Sequence, residues 1–159
     1  MGVIKINSIV AISPSDKVVG LGIVIHDHEG RIMASYAQNL SIALSPQTIE
    51  AAAILRGLDL AVEVGLYPAI VESDALTVVN LINYKSSPLT EIGLVILDII
   101  HLLDSFSFVY FCHVSRVANT VAHSLAKVTL PLNFEFVWLE KCPPPCVELL
   151  FLVDKPSLM

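Results

Sequence analysis

Charge is scarce in this 159-residue chain, and positive charge is scarcer. Charged residues make up 15% of it, with nine Lys and Arg against 15 Asp and Glu and a net charge of −6. Avid nucleic-acid binders carry a basic stripe, so tight, salt-driven binding to DNA or RNA is not expected. Three cysteines are too few for a disulfide framework and suit a reducing compartment, so an intracellular location is expected. "CPPPC", Cys142 to Cys146, lacks a second ligand pair, which argues against a zinc site. Long apolar runs are also missing, although hydrophobic residues make up 55% of the chain. No stretch reaches the roughly 18 apolar residues of a membrane span. The nearest, "IGLVILDIIHLLDSF", is interrupted by Asp98, His101 and Asp104 and reads as a buried helix. The start "MGVIKINSIV" has no basic region before a long apolar core, so no signal peptide is expected. Gly2 fails the myristoylation pattern because Ile6 stands where Ser or Thr is needed.

What is present is a change of period. The first 40 residues read as three strands. "VIKINSIVAI" is rich in β-branched residues, "KVVGLGIVIH" follows the turn "SPSD", and "RIMASYAQNL" follows "DHEG". "DHEG", Asp27 to Gly30, reads as a tight turn joining antiparallel strands. Ser45-Pro46 then signals a helix start, with Ser as cap and Pro at the first position. Ala51, Leu55, Leu58 and Val62 recur at helical spacing, against a polar face of Arg56, Asp59 and Glu63. Gly57, inside that helix, predicts a close backbone approach, and Gly65 a C-terminal cap. "PAIVES" reads as a strand buried on both faces and "DALTVVNLIN" as a short helix capped by Asp74. "YKSSP" is a linker, "LTEIGLVILDIIHLLDSF" a helix, "SFVYFCHV" a strand and "RVANTVAHSLAKVTL" a helix. Residues 131–159 read as a Pro-rich tail with a short apolar turn near Val147 to Leu152. An antiparallel meander followed by helix-connected strands implies an α/β fold with a mixed sheet and helices on its faces.

Four stretches, in order and sensibly spaced over about residues 3 to 130, carry a resemblance: "GLGIVIHDHEGRIMASYAQNL", "SPQTIEAAAILRGLDLAVEVGL", "IVESDALTVVNLIN" and "HVSRVANTVAHSLAK". Together they resemble the plant-type ribonuclease H-like domain, associated in other proteins with reverse transcriptases. The tail "VWLEKCPPPCVELLFLVD" resembles the one such domains carry. The resemblance implies a ribonuclease H-like fold with a mixed five-stranded sheet in a domain of residues 1–130, and a C-terminal tail, 131–159, packing on or extending from it.

Active members of that family cleave the RNA strand of an RNA–DNA hybrid with four carboxylates and two magnesium ions. Two close divalent ions need charged oxygen ligands, one ion activating water and the other stabilising the leaving oxygen. Carried over residue by residue, the resemblance puts two of these acids at Glu50, in "TIEAAA", and Asp74, in "VESD". Taken alone, Glu50, read in its helix's first turn, serves equally as a partner for the helix dipole, and Asp74 as an N-cap contributing about 1 kcal/mol. The first acid of the family's "KiNvDgA" strand falls on Ile9 in "KINSIVA", and the fourth on His123. Imidazole suits magnesium poorly, though manganese or zinc better. Arg116 and Asn119 resemble the family's R-x-x-N and would approach nucleic-acid phosphate; helix-start capping and a surface ion pair are the alternative. Glu72 matches no family acid and reads as a surface charge or ion-pair member, while His113 carries no assignment.

The expectation is a monomeric ribonuclease H-like domain that binds RNA–DNA hybrid weakly and cleaves it poorly or not at all. Magnesium, or manganese in its place, is the cofactor the resemblance implies, held by Glu50 and Asp74. The alternatives are a working nuclease with a substituted metal site, and a protein-interaction or transposon-derived remnant. Domains of this kind also occur fused to reverse-transcriptase-like proteins, so the chain could be a piece of one.

Overall fold

The computed structural model describes residues 2–13, 18–41, 44–65, 68–117, 126–127 and 136–139. In chain order these form β1 (Ile4–Ser13), β2 (Val18–His26), β3 (Ile32–Ser41), α1 (Pro46–Glu63), β4 (Ala69–Ser73), α2 (Leu76–Asn83), α3 (Glu91–Leu102), β5 (Val109–His113) and β6 (Phe136–Leu139). One 3₁₀ turn, Leu103–Ser105, ends α3. The strands lie in the order β5-β4-β1-β2-β3-β6. β1, β2 and β3 are antiparallel neighbours, whereas β4 runs parallel to both β1 and β5. This is the mixed sheet the sequence implies: a meander on one side, helix-connected parallel strands on the other.

Two differences from the sequence reading matter. A sixth strand comes from the segment read only as tail, where Phe136 to Leu139 pair antiparallel with Ala34 to Ala37 of β3. β4 is buried mainly on one face: Ala69, Val71 and Ser73 are buried and Ile70 and Glu72 are partly exposed. The polar alternate position is explained by Glu72, whose carboxylate meets Lys5 Nζ at 3.2 Å. That is the ion pair expected of it.

Strand period two places Ile4, Ile6, Ser8 and Val10 of β1 on the face toward α1, and Lys5, Asn7, Ile9 and Ala11 on the opposite one. Ile4 and Ile6 join Ile23, Ile25, Ala51, Ile54 and Leu58 in the main core, while Val10 packs with Ile49 and Ala53. α1 sits close because Gly57 faces the sheet: a Cβ there would stand 2.8 Å from Ile6 Cγ2 and 3.4 Å from Ile23 Cγ2. The local punctuation reads as expected. Ser45 Oγ accepts from Thr48 N at the start of α1, with Pro46 beside it. Gly65, at φ +72°, follows its end. The β2–β3 turn closes through Gly30 N donating to Asp27 O at 3.0 Å, with Gly30 at φ 79°. Among the described residues no helix is long and apolar enough to cross a membrane.

Candidate metal and nucleic-acid site

The parallel pairing of β1 with β4 sets Asn7 beside Glu72 and Ser8 beside Ser73. The ladder ends there: β4 stops at Ser73 while β1 runs on through Ile9 to Ser13. Asp74 therefore leaves the sheet at the C-terminal end of β4, in the short connection to α2. On the other side β5 continues the ladder: Ser73 pairs with His113, and Val114 N donates to Ser73 O at 2.9 Å. This bond leads the chain after β5 past Asp74, and it brings Arg116 Nε to 3.9 Å from Asp74 Oδ2. α1 supplies Glu50.

Neither acid has the structural job the sequence alone allows it. The N-cap of α2 is Ala75, with no side-chain cap bond, and Asp74 does not cap the helix. Ser73 Oγ, one residue earlier, accepts from the amide of Ala75 at 3.1 Å in the turn that leads into α2. α1 begins at Pro46, so Glu50 is its fifth residue, and no acid stands in its first turn. The dipole role weakens accordingly, because that effect fades beyond the first turn. What remains is one buried oxygen on each carboxylate, Glu50 Oε2 and Asp74 Oδ1, without a hydrogen-bond partner among the described residues. Buried polar atoms are nearly always bonded, so two adjacent orphan acceptors require an explanation.

Their electrostatics agree. Burial first, and then the nearby Asp74 charge, push the Glu50 carboxyl up from 4.5 to about 8, against the opposing Arg116 guanidinium. At neutral pH Glu50 therefore carries a proton.

The other members implied by the resemblance divide into two groups. Ile9 is fully buried and brings no oxygen. His123 and Asn119 lie outside the described residues. Among the described residues no group of three or more His, Cys, Asp and Glu side chains is arranged to hold a metal ion. The orphan oxygens thus fit the carboxylate share of one divalent ion, and the donor set in view does not fit two. Sequence reasoning passed over Ser73, whose hydroxyl accepts from the Ala75 amide in the turn before α2; a serine directly before the acid was the available signal.

No curated protein matches the sequence. Solved structures do. The N-terminal RNase H domain of a Mycobacterium tuberculosis protein, solved fused to maltose binding protein, is 21% identical with a TM-score of 0.74, covering 82% of this chain and 95% of that one. LC11-RNase H1, isolated from compost by a metagenomic approach and solved with an RNA/DNA hybrid, is 19% identical with a TM-score of 0.71, covering 80% and 96%. A foamy viral protease-reverse transcriptase, also solved with an RNA/DNA hybrid, is 20% identical with a TM-score of 0.62, covering 80% of this chain and 19% of that one. At such identities the likeness establishes the fold. The family described as reverse transcriptase-like matches residues 7–129, most of the chain, and with the ribonuclease H fold around Glu50 and Asp74 it makes this chain a ribonuclease H-like member of the reverse transcriptase-like family.

Proposed function

We propose that this chain is a nucleic-acid-binding ribonuclease H-like domain that engages RNA–DNA hybrid weakly and has lost most or all cleavage. One observation carries the reading. Glu50 and Asp74 lie close enough to interact, each with a buried oxygen that has no partner among the described residues, while Ile9, where the resemblance puts the first acid, is apolar and faces away from α1. A divalent ion such as magnesium or manganese would be held by the two carboxylates and would supply positive charge next to a phosphate. The family's two-ion clamp needs further acids, and Ile9 and His123 supply none.

Weak binding follows from charge. Lys5, Arg31 and Arg56 each pair with a carboxylate, and Arg116 stands near Asp74. The net charge of −6 also opposes a polyanion, so nonspecific affinity of about 1 μM or weaker is expected at physiological salt. Fluorescence anisotropy with a labelled RNA–DNA hybrid across a salt series tests binding, and a gel assay with magnesium tests cleavage. We expect weak, salt-sensitive binding and no cleavage above a no-protein control. Cleavage by the natural chain that Asp74→Asn abolishes would overturn the impairment. Absence of binding even at low salt would favour a protein-interaction remnant.

A further inference from the structure

Arg116 is 63% exposed at its side chain and reaches toward an acid only 19% exposed. The separation, 3.9 Å from Nε to Oδ2, is too long for a hydrogen bond. The guanidinium is thus held by charge, with no directional bond, and it can leave at small cost. Its backbone cannot leave so easily. The bond from Val114 N to Ser73 O fixes the strand exit two residues earlier, so Arg116 always starts from beside Asp74.

We infer that Arg116 is a built-in competitor for the cation position at Asp74, so that the guanidinium and a divalent ion exclude one another there. This rests on the reading of Glu50 and Asp74 as the ion-holding pair. The chemistry is simple. Asp74 has one oxygen facing Arg116 and one buried without a partner among the described residues. A divalent ion approaching the pair meets the positive charge of the guanidinium. The planar fork of arginine also matches phosphate oxygens better than it matches a single carboxylate oxygen at this distance. An arriving phosphate would draw Arg116 off Asp74 and open the acid pair to the metal. Metal and nucleic acid would then favour each other's binding, as linkage requires.

The test uses manganese alone, with free ion measured by electron paramagnetic resonance, on the full chain and three variants. Arg116→Gln should bind manganese roughly two- to fivefold more tightly than the natural chain, the range an exposed charge supports. Arg116→Lys keeps the charge and should stay near the natural affinity. Adding Asp74→Asn to Arg116→Gln should erase the gain. The inference falls if Arg116→Gln binds no more tightly, whether both proteins bind equally or neither binds. It falls too if the gain survives without the Asp74 carboxylate. Arg116 is exposed, so the variants should keep the natural melting curve, which is measured alongside. Hybrid affinity is read separately: if Arg116→Gln weakens hybrid binding and leaves manganese unchanged, the binding function stands and the competition does not.

Discussion

The proton on Glu50 makes stability depend on pH in an unusual direction. Its carboxyl is raised from 4.5 to about 8 by burial and by Asp74. The folded state therefore binds this proton more tightly than the unfolded chain does. Stability from it is fully present below about pH 4.5, falls as pH rises, and is lost once pH passes about 8. At roughly 1.4 kcal/mol per unit, the cost is about 3 kcal/mol at pH 7 and about 5 kcal/mol above pH 8. That is a large share of the 5–15 kcal/mol typical of a domain. Glu50→Gln replaces the carboxyl with a neutral group of the same shape and removes the linkage. At pH 5 the two proteins should be nearly equal in stability. At pH 7 the variant should be more stable by about 3 kcal/mol, or roughly 6–12 °C in Tm for a chain of this size. Urea unfolding from pH 5 to 9, in chelator, reads this directly. Flat stability of the natural chain from pH 5 to 8, or no relative gain for Glu50→Gln at pH 8, would refute the reasoning.

Other outcomes follow from the same geometry. Asp74→Asn removes a like charge next to Glu50 and should flatten part of the pH dependence in the same urea series. Ile9→Asp places a carboxylate at a fully buried position on the face of β1 turned away from α1, and should cost about 3 kcal/mol or more in chelator; thermal melts check it. The double variant Ile9→Asp with His123→Asp should gain more hybrid cleavage than the sum of the singles, since groups that act as a unit are not additive. Lys5→Ala should change stability by less than about 1 kcal/mol, because Lys5 is half exposed in its pair with Glu72.

Much of this fold is legible wherever the signal is local. Ser45-Pro46 and Gly65 bound α1 because capping is decided within a few residues, and "DHEG" closes its turn through its own Asp27 and Gly30. Glu72 was readable as an ion-pair member because its strand position left it on the partly exposed face. β6 was not legible as a strand: its four residues are short, lie in a Pro-rich stretch, and owe their conformation to distant β3. Capping by Asp74 failed for another reason. Ser73 and Asp74 can both bond amides nearby, and only the three-dimensional path shows that Ser73 takes the amide of Ala75. The burial of Glu50 is equally invisible in sequence, because "TIEAAA" looks the same on an exposed helix. The resemblance located the acids; the fold removed their local alternatives.

Gly57 acts at a distance on chemistry it never touches. It stands seven residues after Glu50 on one rigid helix, roughly 10 Å along the axis. The helix can lie flat on β1 and β2 only because nothing projects there, with Ile6 Cγ2 just 2.8 Å from where a methyl would begin. A single added methyl would act as a wedge under one end of a lever, lifting α1 and swinging the carboxylate at the other end relative to Asp74. Gly57→Ala should therefore do two things: destabilise by about 1–3 kcal/mol through overpacking, and lower the Glu50 titration midpoint as the helix lifts the acid away from its neighbour and toward water. The ionisation of one residue thus reports how closely a helix is seated two turns away.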